Sequence, residues 1–260
     1  MNLEGKVAVV TGGAMGNGFG IVESFIKAGA IVIVLDYSDD IRENLSKLNT
    51  SKVSGYKVDI RNRNGVKEII SDIIHKYGKI DILVNNAGVA KLNEFLKTTD
   101  EDRDFHFDIN IKGTWNVTSE VLPNMLKNKF GRIINLSSVT GVLVADPGEV
   151  AYATTKAAVL GFTKSLAMEV ADKNITVNAI LPGYILTPMV EGIARDTNSL
   201  NPNEVIEGIQ AGIPVGRLGK ISEIGDLALF LASNTSSFIT GQGIVIDGGA
   251  TLPETRSVGV

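Results

Sequence analysis

Seven short runs of mostly aliphatic, β-branched residues punctuate the chain: Val7 to Val10, Ile31 to Leu35, Gly55 to Val58, Ile80 to Val84, Arg132 to Leu136, Thr176 to Ile180 and Gly243 to Ile246. Each is strand-sized, and most are apolar almost throughout rather than alternating, so both faces must be covered. Between them lie amphipathic helical stretches, among them Gly18 to Ala28 and Gly65 to Tyr77. Strands buried on both faces and joined by helical crossovers predict an α/β fold: a doubly wound parallel sheet of about seven strands in three α/β/α layers. No low-complexity linker or solenoid repeat interrupts the sequence. Residues 1–260 are therefore expected to form a single domain, with a helical excursion over 188–211 and a tail over 250–260.

Composition excludes several function classes. A net charge of −4 leaves no basic footprint for nucleic acid. With no cysteine, neither disulfides nor thiolate metal sites are available, and no metal is expected. No apolar run approaches the ~18 residues of a membrane span, and the start, MNLEGKVAVVTGG, passes directly into a strand without a leader. A soluble, cytoplasmic protein with a small-molecule substrate is the expectation.

The first run leads into TGGAMGNG, with glycines at 12, 16 and 18, and then a helix. Such a turn lets a pyrophosphate approach the backbone at a helix N-terminus, although glycine-rich strand-to-helix turns also serve packing alone. Asp36 ends the second run 18 residues after Gly18. A carboxylate there can accept hydrogen bonds from ribose hydroxyls and would repel a 2′-phosphate; its other reading is a turn or helix-capping residue. Met15 sits in the turn where a cation could have met that phosphate. Both residues point to NAD over NADP.

The second constellation is LSSVTGVLVADPGEVAYATTK, Leu136 to Lys156. Tyr152 and Lys156 are four apart, so on a helix they share a face. A held ammonium favours phenolate and is expected to lower the Tyr152 pKa from about 10, making it a general acid/base. The same spacing also describes an ordinary helix surface. Ser138 closes the preceding strand; Ser137 is the runner-up for its role, and period-two alternation turns the two serines opposite ways.

With TGGAMGNG, Asp59 in KVDI, NNAG at 85–88, Asn110 in DINIKG, Ser138, YATTK at 152–156, PGYILT at 182–187 and ITGQGIVIDGG, the chain resembles the short-chain dehydrogenase/reductase family from near Leu3 to about Gly249. The resemblance implies a Rossmann-type fold and an oxidoreductase moving hydride to or from a nicotinamide cofactor. It implies that Tyr152 handles the proton, that Lys156 tunes Tyr152 and holds the nicotinamide ribose, and that Ser138 orients the substrate oxygen. Asn110 would hold a water linking Lys156 to solvent. The implied cofactor contacts are Gly12, Met15, Gly16, Asn17 and Gly18 at the turn, Asp36 and Tyr37 after the second strand, and Asp59 with Ile60 around the adenine. Asn86, Ala87 and Gly88 would line the path to the nicotinamide, and Pro182, Gly183, Ile185 and Thr187 would cover its ring. It also implies a homotetramer, with helices over Phe105 to Leu126 and Ala153 to Val170 in one interface.

Two departures stand out. Asn17 occupies a place usually aliphatic in relatives, where a polar group rests on solvent or bonds locally. The 14 residues from Ser138 to Tyr152 are at the long end of the pattern. Candidates for the substrate pocket are Val142, Val144, Glu149, Tyr184 and Met189, an apolar lining with acidic edges that suits a neutral secondary alcohol or ketone. The 188–211 excursion reads as a mobile lid or a plain surface feature. The tail with Leu252 and Pro253 either reaches a neighbouring subunit or frays. His106 reads as packing and His75 as surface. Three functions fit: an NAD-dependent alcohol dehydrogenase or ketone reductase; an NADPH-dependent 3-oxoacyl-carrier-protein reductase with a docking patch of Lys127, Lys129, Arg132 and Lys173; and a non-catalytic NAD-sensing protein.

Overall fold

The computed structural model describes residues 1–253. Strands β1 (Val7–Thr11), β2 (Ile31–Asp36), β3 (Val53–Lys57), β4 (Ile82–Asn85), β5 (Gly131–Leu136), β6 (Ile175–Pro182) and β7 (Gly243–Ile246) form one sheet in the order β3-β2-β1-β4-β5-β6-β7. Every neighbouring pair is parallel, as near-continuous apolar strands with helical crossovers require. The third strand begins two residues earlier than its apolar run: it is an edge strand pairing only with β2, so Ser54 and Lys57 are tolerated in it. The fourth begins later, because the Ile80 amide donates to Asn124 Oδ1 at 2.9 Å rather than joining the ladder.

Helices α1 (Gly16–Lys27), α2 (Ile41–Ser46) and α9 (Ile221–Ala232) lie on the chain alongside α3 (Arg63–Tyr77), α4 (Asp100–His106), α5 (Thr114–Asn128), α6 (Val150–Val170), α7 (Pro188–Thr197) and α8 (Pro202–Gly212). Their ends follow local chemistry. Asn62 Oδ1 accepts from the Gly65 amide to open α3, and Gly78 closes it at φ +77°. Alternate strand residues feed two cores. Ala8, Val10, Val32 and Val34 pack with Ile21 and Phe25 of α1 and Ile224 and Leu231 of α9. Val7, Val9, Ile33 and Leu83 pack with Ile70 of α3 and Val117 and Val121 of α5. The three-layer arrangement follows directly from this alternation.

Between the layers runs a buried polar chain. Asn85 Nδ2 donates to Thr118 Oγ1 and to Asn135 Oδ1, both at 2.9 Å, and Asn135 Nδ2 donates to Thr163 Oγ1 at 2.9 Å. It joins α5, β4, β5 and α6 in sequence.

Helices α1 and α9 cross with almost no side-chain spacer. A Cβ on Gly20 would stand 2.2 Å from the Ile221 carbonyl oxygen, and one on Gly225 would stand 2.3 Å from that of Gly20. Gly20→Ala is therefore expected to lower the Tm by about 5 °C or more, since overpacking against backbone has no flexible group to yield. A thermal scan showing an unchanged midpoint would refute this account of the crossing.

Helices α7 and α8 correspond to the expected excursion and carry a small core of their own, Val190, Ile213 and Leu218, with Ile206 and Ile209 against it. Among the described residues, no helix is long and apolar enough to cross a membrane. Most of the tail expected over 250–260 falls outside the described residues.

Candidate active site

The parallel sheet brings the carboxyl ends of all its strands to one edge, and the winding reverses between β1 and β4, which lie side by side. Open α/β sheets bind ligands in the crevice such a reversal leaves. Gly12 turns out of β1 at φ +63°, and a Cβ on it would stand 2.8 Å from Ala87 Cα. A Cβ on Gly18 would stand 2.1 Å from the Gly12 carbonyl oxygen. Asn86 Nδ2 donates to the Thr11 and Gly12 carbonyls at 3.0 and 2.8 Å. Thr11 Oγ1 in turn accepts from the Asn86 and Ala87 amides, both at 3.0 Å. The turns after β1 and β4 are thus locked together.

Met15, the N-cap of α1, offers no side-chain acceptor to the first-turn amides of the helix, and Gly16 faces Thr187, whose Cβ would be 3.7 Å from a Cβ there. This is a cradle that side chains would fill, at a helix N-terminus whose amides remain available, and it fits the phosphates of a dinucleotide. Asn17 differs from expectation: its Oδ1 is buried without a hydrogen-bond partner among the described residues, so that oxygen neither meets solvent nor bonds locally.

Asp36 sits at the mouth of the cradle. Its Oδ2 accepts from the Ala14 amide at 2.9 Å and its Oδ1 from that of Ser38 at 3.0 Å, with Tyr37 and Met15 exposed nearby. Asp59, beyond β3, is forked by Arg61 Nε and Nη2 at 2.9 and 2.6 Å, and this pairing holds its carboxyl below the usual range. Ile60 is buried, and its carbonyl accepts from Asn116 Nδ2 at 3.0 Å. Pro182, the last residue of β6, pairs with β7; beyond it Gly183 leaves no room for a Cβ against Asp247, and the Ile185 side chain turns into the core.

Beyond β5 the two serines diverge. Ser137 Oγ donates to the Lys156 carbonyl at 2.7 Å. Ser138 Oγ accepts from the Thr140 amide at 3.1 Å and lies in hydrogen-bonding reach of the Tyr152 phenol. On α6, Lys156 Nζ lies 5.6 Å from the Tyr152 ring centroid and donates to the Leu136 carbonyl at 2.8 Å. A Cβ on Gly88 would stand 3.3 Å from this nitrogen and 3.2 Å from Asn110 Oδ1, so the turn after β4 closes directly onto the lysine.

Burial pushes Lys156 down to about 8. The expected lowering of Tyr152 by Lys156 is not what this geometry gives. Burial raises the phenol, the Ser138 hydrogen bond opposes this, and Glu149 adds a further upward push. The ammonium gives one of its three donors to the Leu136 carbonyl and is itself desolvated, and the phenol stays protonated at neutral pH.

Asn110 lies in a widened, π-helical stretch, 107–113, that joins α4 to α5. Its Oδ1 accepts from the Val89 amide at 2.9 Å, while Nδ2 donates to the Val89 carbonyl at 3.0 Å and to Thr155 Oγ1 at 2.9 Å. Both ends of the amide are committed to tying the loop after β4 to α6. Thr155 Oγ1 also donates to the Tyr152 carbonyl at 2.8 Å.

Thr155 and Thr11 are positioning residues that the motif reading passed over; Thr155 lies inside YATTK, where its capacity to bond back three residues was the available signal. Arg61 was also missed, although its place two residues after Asp59 allows the local fork.

Among the pocket candidates, Val142 turns inward onto Val139, Ala179 and Leu181, while Val144 and Met189 are exposed. Glu149 is the N-cap of α6, and Tyr184 lies on the loop after β6, where burial first, then the charges of Asp146 and Glu149, raise its phenol. His106 is structural, its Nδ1 donating to the Asp102 carbonyl at 2.7 Å and its Nε2 accepting from the Lys91 amide at 2.9 Å. Arg132 leaves the supposed docking patch. It is 2% exposed, and its guanidinium donates to the Gly131 and Asn174 carbonyls and stacks on Phe130.

The sequence profile of a family described as enoyl-(acyl carrier protein) reductase matches residues 12–251. Oxidoreductase UcpA of Salmonella typhimurium is 52% identical over 260 residues, covering 99% of each chain. The 3-oxoacyl-[acyl-carrier-protein] reductase FabG of Thermotoga maritima is 42% identical, covering 97% of this chain and 100% of its own. Among solved structures, levodione reductase superposes with a TM-score of 0.92 at 28% identity, over 96% of this chain and 99% of the other. With a glycine cradle, a serine, tyrosine and lysine gathered beside it, and relatives matching from end to end, the chain belongs to the short-chain dehydrogenase/reductase family and is an oxidoreductase of that family.

Proposed function

We propose that this protein is an NAD(H)-dependent oxidoreductase that interconverts a secondary alcohol and a ketone, with Tyr152 as the general acid/base. The observation that carries this reading is the meeting of Ser138, Tyr152 and Lys156 at the carboxyl edge of the sheet, across from the glycine cradle. When bound, the nicotinamide supplies the hydride in reduction and takes it in oxidation. Gly12, Gly16, Gly18, Asn86, Ala87 and Gly88 shape its path, and Lys156 has a donor to offer its ribose.

The protein's own part is proton handling and orientation. In reduction the carbonyl carbon gains hydride, and the oxygen, carrying developing negative charge, takes the Tyr152 proton. Ser138 Oγ donates to the same oxygen and fixes it for attack. The raised Tyr152 phenol enters as an acid at neutral pH, which suits this direction. Asn110 and Thr155 hold α6 and the loop after β4 in place while this happens.

Asp36 supports NAD, since its fixed carboxylate would face a 2′-phosphate at the cradle mouth. Titration with NADH and NADPH, followed by cofactor fluorescence, tests this: NADH is expected to bind more tightly. Asp36→Ala is expected to move the ratio of dissociation constants toward NADPH by about tenfold or more, as a like charge is removed. Wild-type preference for NADPH would instead favour the carrier-protein reductase reading. Helices α7 and α8, with a core separate from the sheet, suit a substrate lid. A groove of about 480 Å³ between α5 and α6, lined by Trp115, Leu122, Phe162 and Leu166, suits the homotetramer. The single-domain chain would act in the cytoplasm.

A further inference from the structure

Ser137 has no part in the proton chemistry described above, yet its hydroxyl is buried and fully directed. The residue is 4% exposed, and its Oγ donates at 2.7 Å to the carbonyl of Lys156, in the interior of α6. Interior helix carbonyls already accept from the amide four residues on. The oxygen does not need this second donor, so the bond serves the placement of the helix.

The hydroxyl projects from a fixed point on the sheet. The Ser137 amide donates to the Ile180 carbonyl at 2.9 Å, and the Val139 amide to that of Pro182 at 3.1 Å. The pairing with β6 therefore continues past Leu136, the last residue of β5.

Three successive residues at this end of β5 reach α6, each in a different way. The Leu136 carbonyl accepts from Lys156 Nζ at 2.8 Å, and Ser138 lies in hydrogen-bonding reach of the Tyr152 phenol. Both of those contacts hold the far ends of long side chains. Ser137, between them, holds the backbone of the helix itself. Tyr152 lies one turn before Lys156, about 6 Å along the axis. A helix free to rock at Lys156 would move the phenol relative to Ser138, and about 1 Å of misplacement costs on the order of a hundredfold in rate.

We propose that Ser137 is a positioning residue of the active site: by holding the Lys156 carbonyl, its hydroxyl fixes the rotation and height of α6 against β5, and with them the point at which Tyr152 meets Ser138. This rests on the Tyr152 mechanism above and adds a residue to it.

Ser137→Ala removes the hydroxyl and no other heavy atom. In the reduction of diacetyl by NADH, it is expected to lower kcat by about tenfold or more, with KM for the ketone and the NADH dissociation constant each within about threefold. Ser137→Thr, which restores the hydroxyl, is expected to recover most of that loss. Where the extra methyl does not fit, Ser137→Cys, a weak donor of similar size, is expected to fall between serine and alanine. Ser236→Ala is the control for stability alone: this serine is similarly buried and donates to the Leu231 and Ser233 carbonyls at 3.0 and 3.1 Å, after α9. It is expected to lower the Tm and leave kcat unchanged. Hydrogen exchange reads the same contact without a substrate: amides of α6 around Lys156 are expected to exchange about threefold or more faster in Ser137→Ala, the loss of one hydrogen bond. Unchanged exchange, an unchanged kcat, or an equal fall of kcat in Ser236→Ala overturns the proposal and leaves the ketone-reductase reading standing. A wild type that binds NADH and reduces no ketone overturns that reading instead, and the exchange rates then decide on Ser137.

Discussion

Tyr152→Phe is expected to cut kcat by about three orders of magnitude while leaving the NADH dissociation constant within about twofold. The substitution removes one oxygen and keeps the ring, so its packing beside Lys156 persists. Proton transfer to the nascent alkoxide then has no donor of the right reach, because Ser138 has too high a pKa to give up its proton and Lys156 is directed at the Leu136 carbonyl. Steady-state turnover on any accepted ketone, paired with a fluorescence titration of NADH, checks both halves. Retention of more than a tenth of the activity would shift the proton donor elsewhere and remove the central element of the proposed mechanism.

Lys156→Met is expected to abolish turnover and, at neutral pH, to raise the thermal stability of the free protein. Burial lowers the ammonium from 10.5 to about 8. Below pH 8 the lysine is charged in both folded and unfolded chains, and folding carries the full cost of burying the charge, about 3 kcal/mol. Between about 8 and 10.5 the unfolded chain binds more protons than the folded one, so wild-type stability rises with pH through that window and the cost disappears above it. Methionine never carries the cost. Its advantage is offset in part by the Leu136 carbonyl, which loses its donor. Melting curves of both proteins at pH 7 and pH 10.5 should therefore show a gap in favour of the variant that closes or reverses on raising the pH. A gap that stays constant would mean that the lysine's environment is wetter than its burial implies. The wild-type chain keeps an expensive charge where the chemistry needs it, a common trade between stability and activity.

How much of this was legible beforehand depended on the kind of signal. The strands were readable because a residue such as Val9 or Ile33, buried on its own face, has neighbours buried on the other, leaving runs that no surface helix would show. The glycine cradle was readable because close backbone approach, as at Gly18 against the Gly12 carbonyl, excludes every other residue type. The choice of Ser138 over Ser137 rested on alternation; in the structure Ser137 Oγ is committed to the Lys156 carbonyl, whereas Ser138 faces the Tyr152 phenol.

Electrostatics was not legible in the same way. Spacing placed Lys156 near Tyr152 but could not reveal that both are deeply desolvated, or that Glu149 pushes against the phenol. The π-helical stretch around Asn110 has no composition of its own; it arises where the helix must turn that amide onto both Val89 and Thr155. The charge of Glu149 that helps raise the Tyr184 phenol acts between segments 35 residues apart in sequence, and no periodicity connects them.

The buried asparagine–threonine chain has a bearing on assembly of the sheet. Strands that are apolar on both faces can slide past each other by one residue at little hydrophobic cost, since the two faces are nearly equivalent to oil. Asn85 and Asn135 remove that freedom. They stand opposite each other in the β4–β5 pairing, and each reaches a threonine on a different helix. A slip of one residue would turn both amides away from Thr118 and Thr163 and leave several polar atoms bare in the interior. The chain acts as a key that admits a single alignment of the two central strands, and that alignment is what delivers Ser138, Asn86 and Gly88 to the same height at the edge of the sheet.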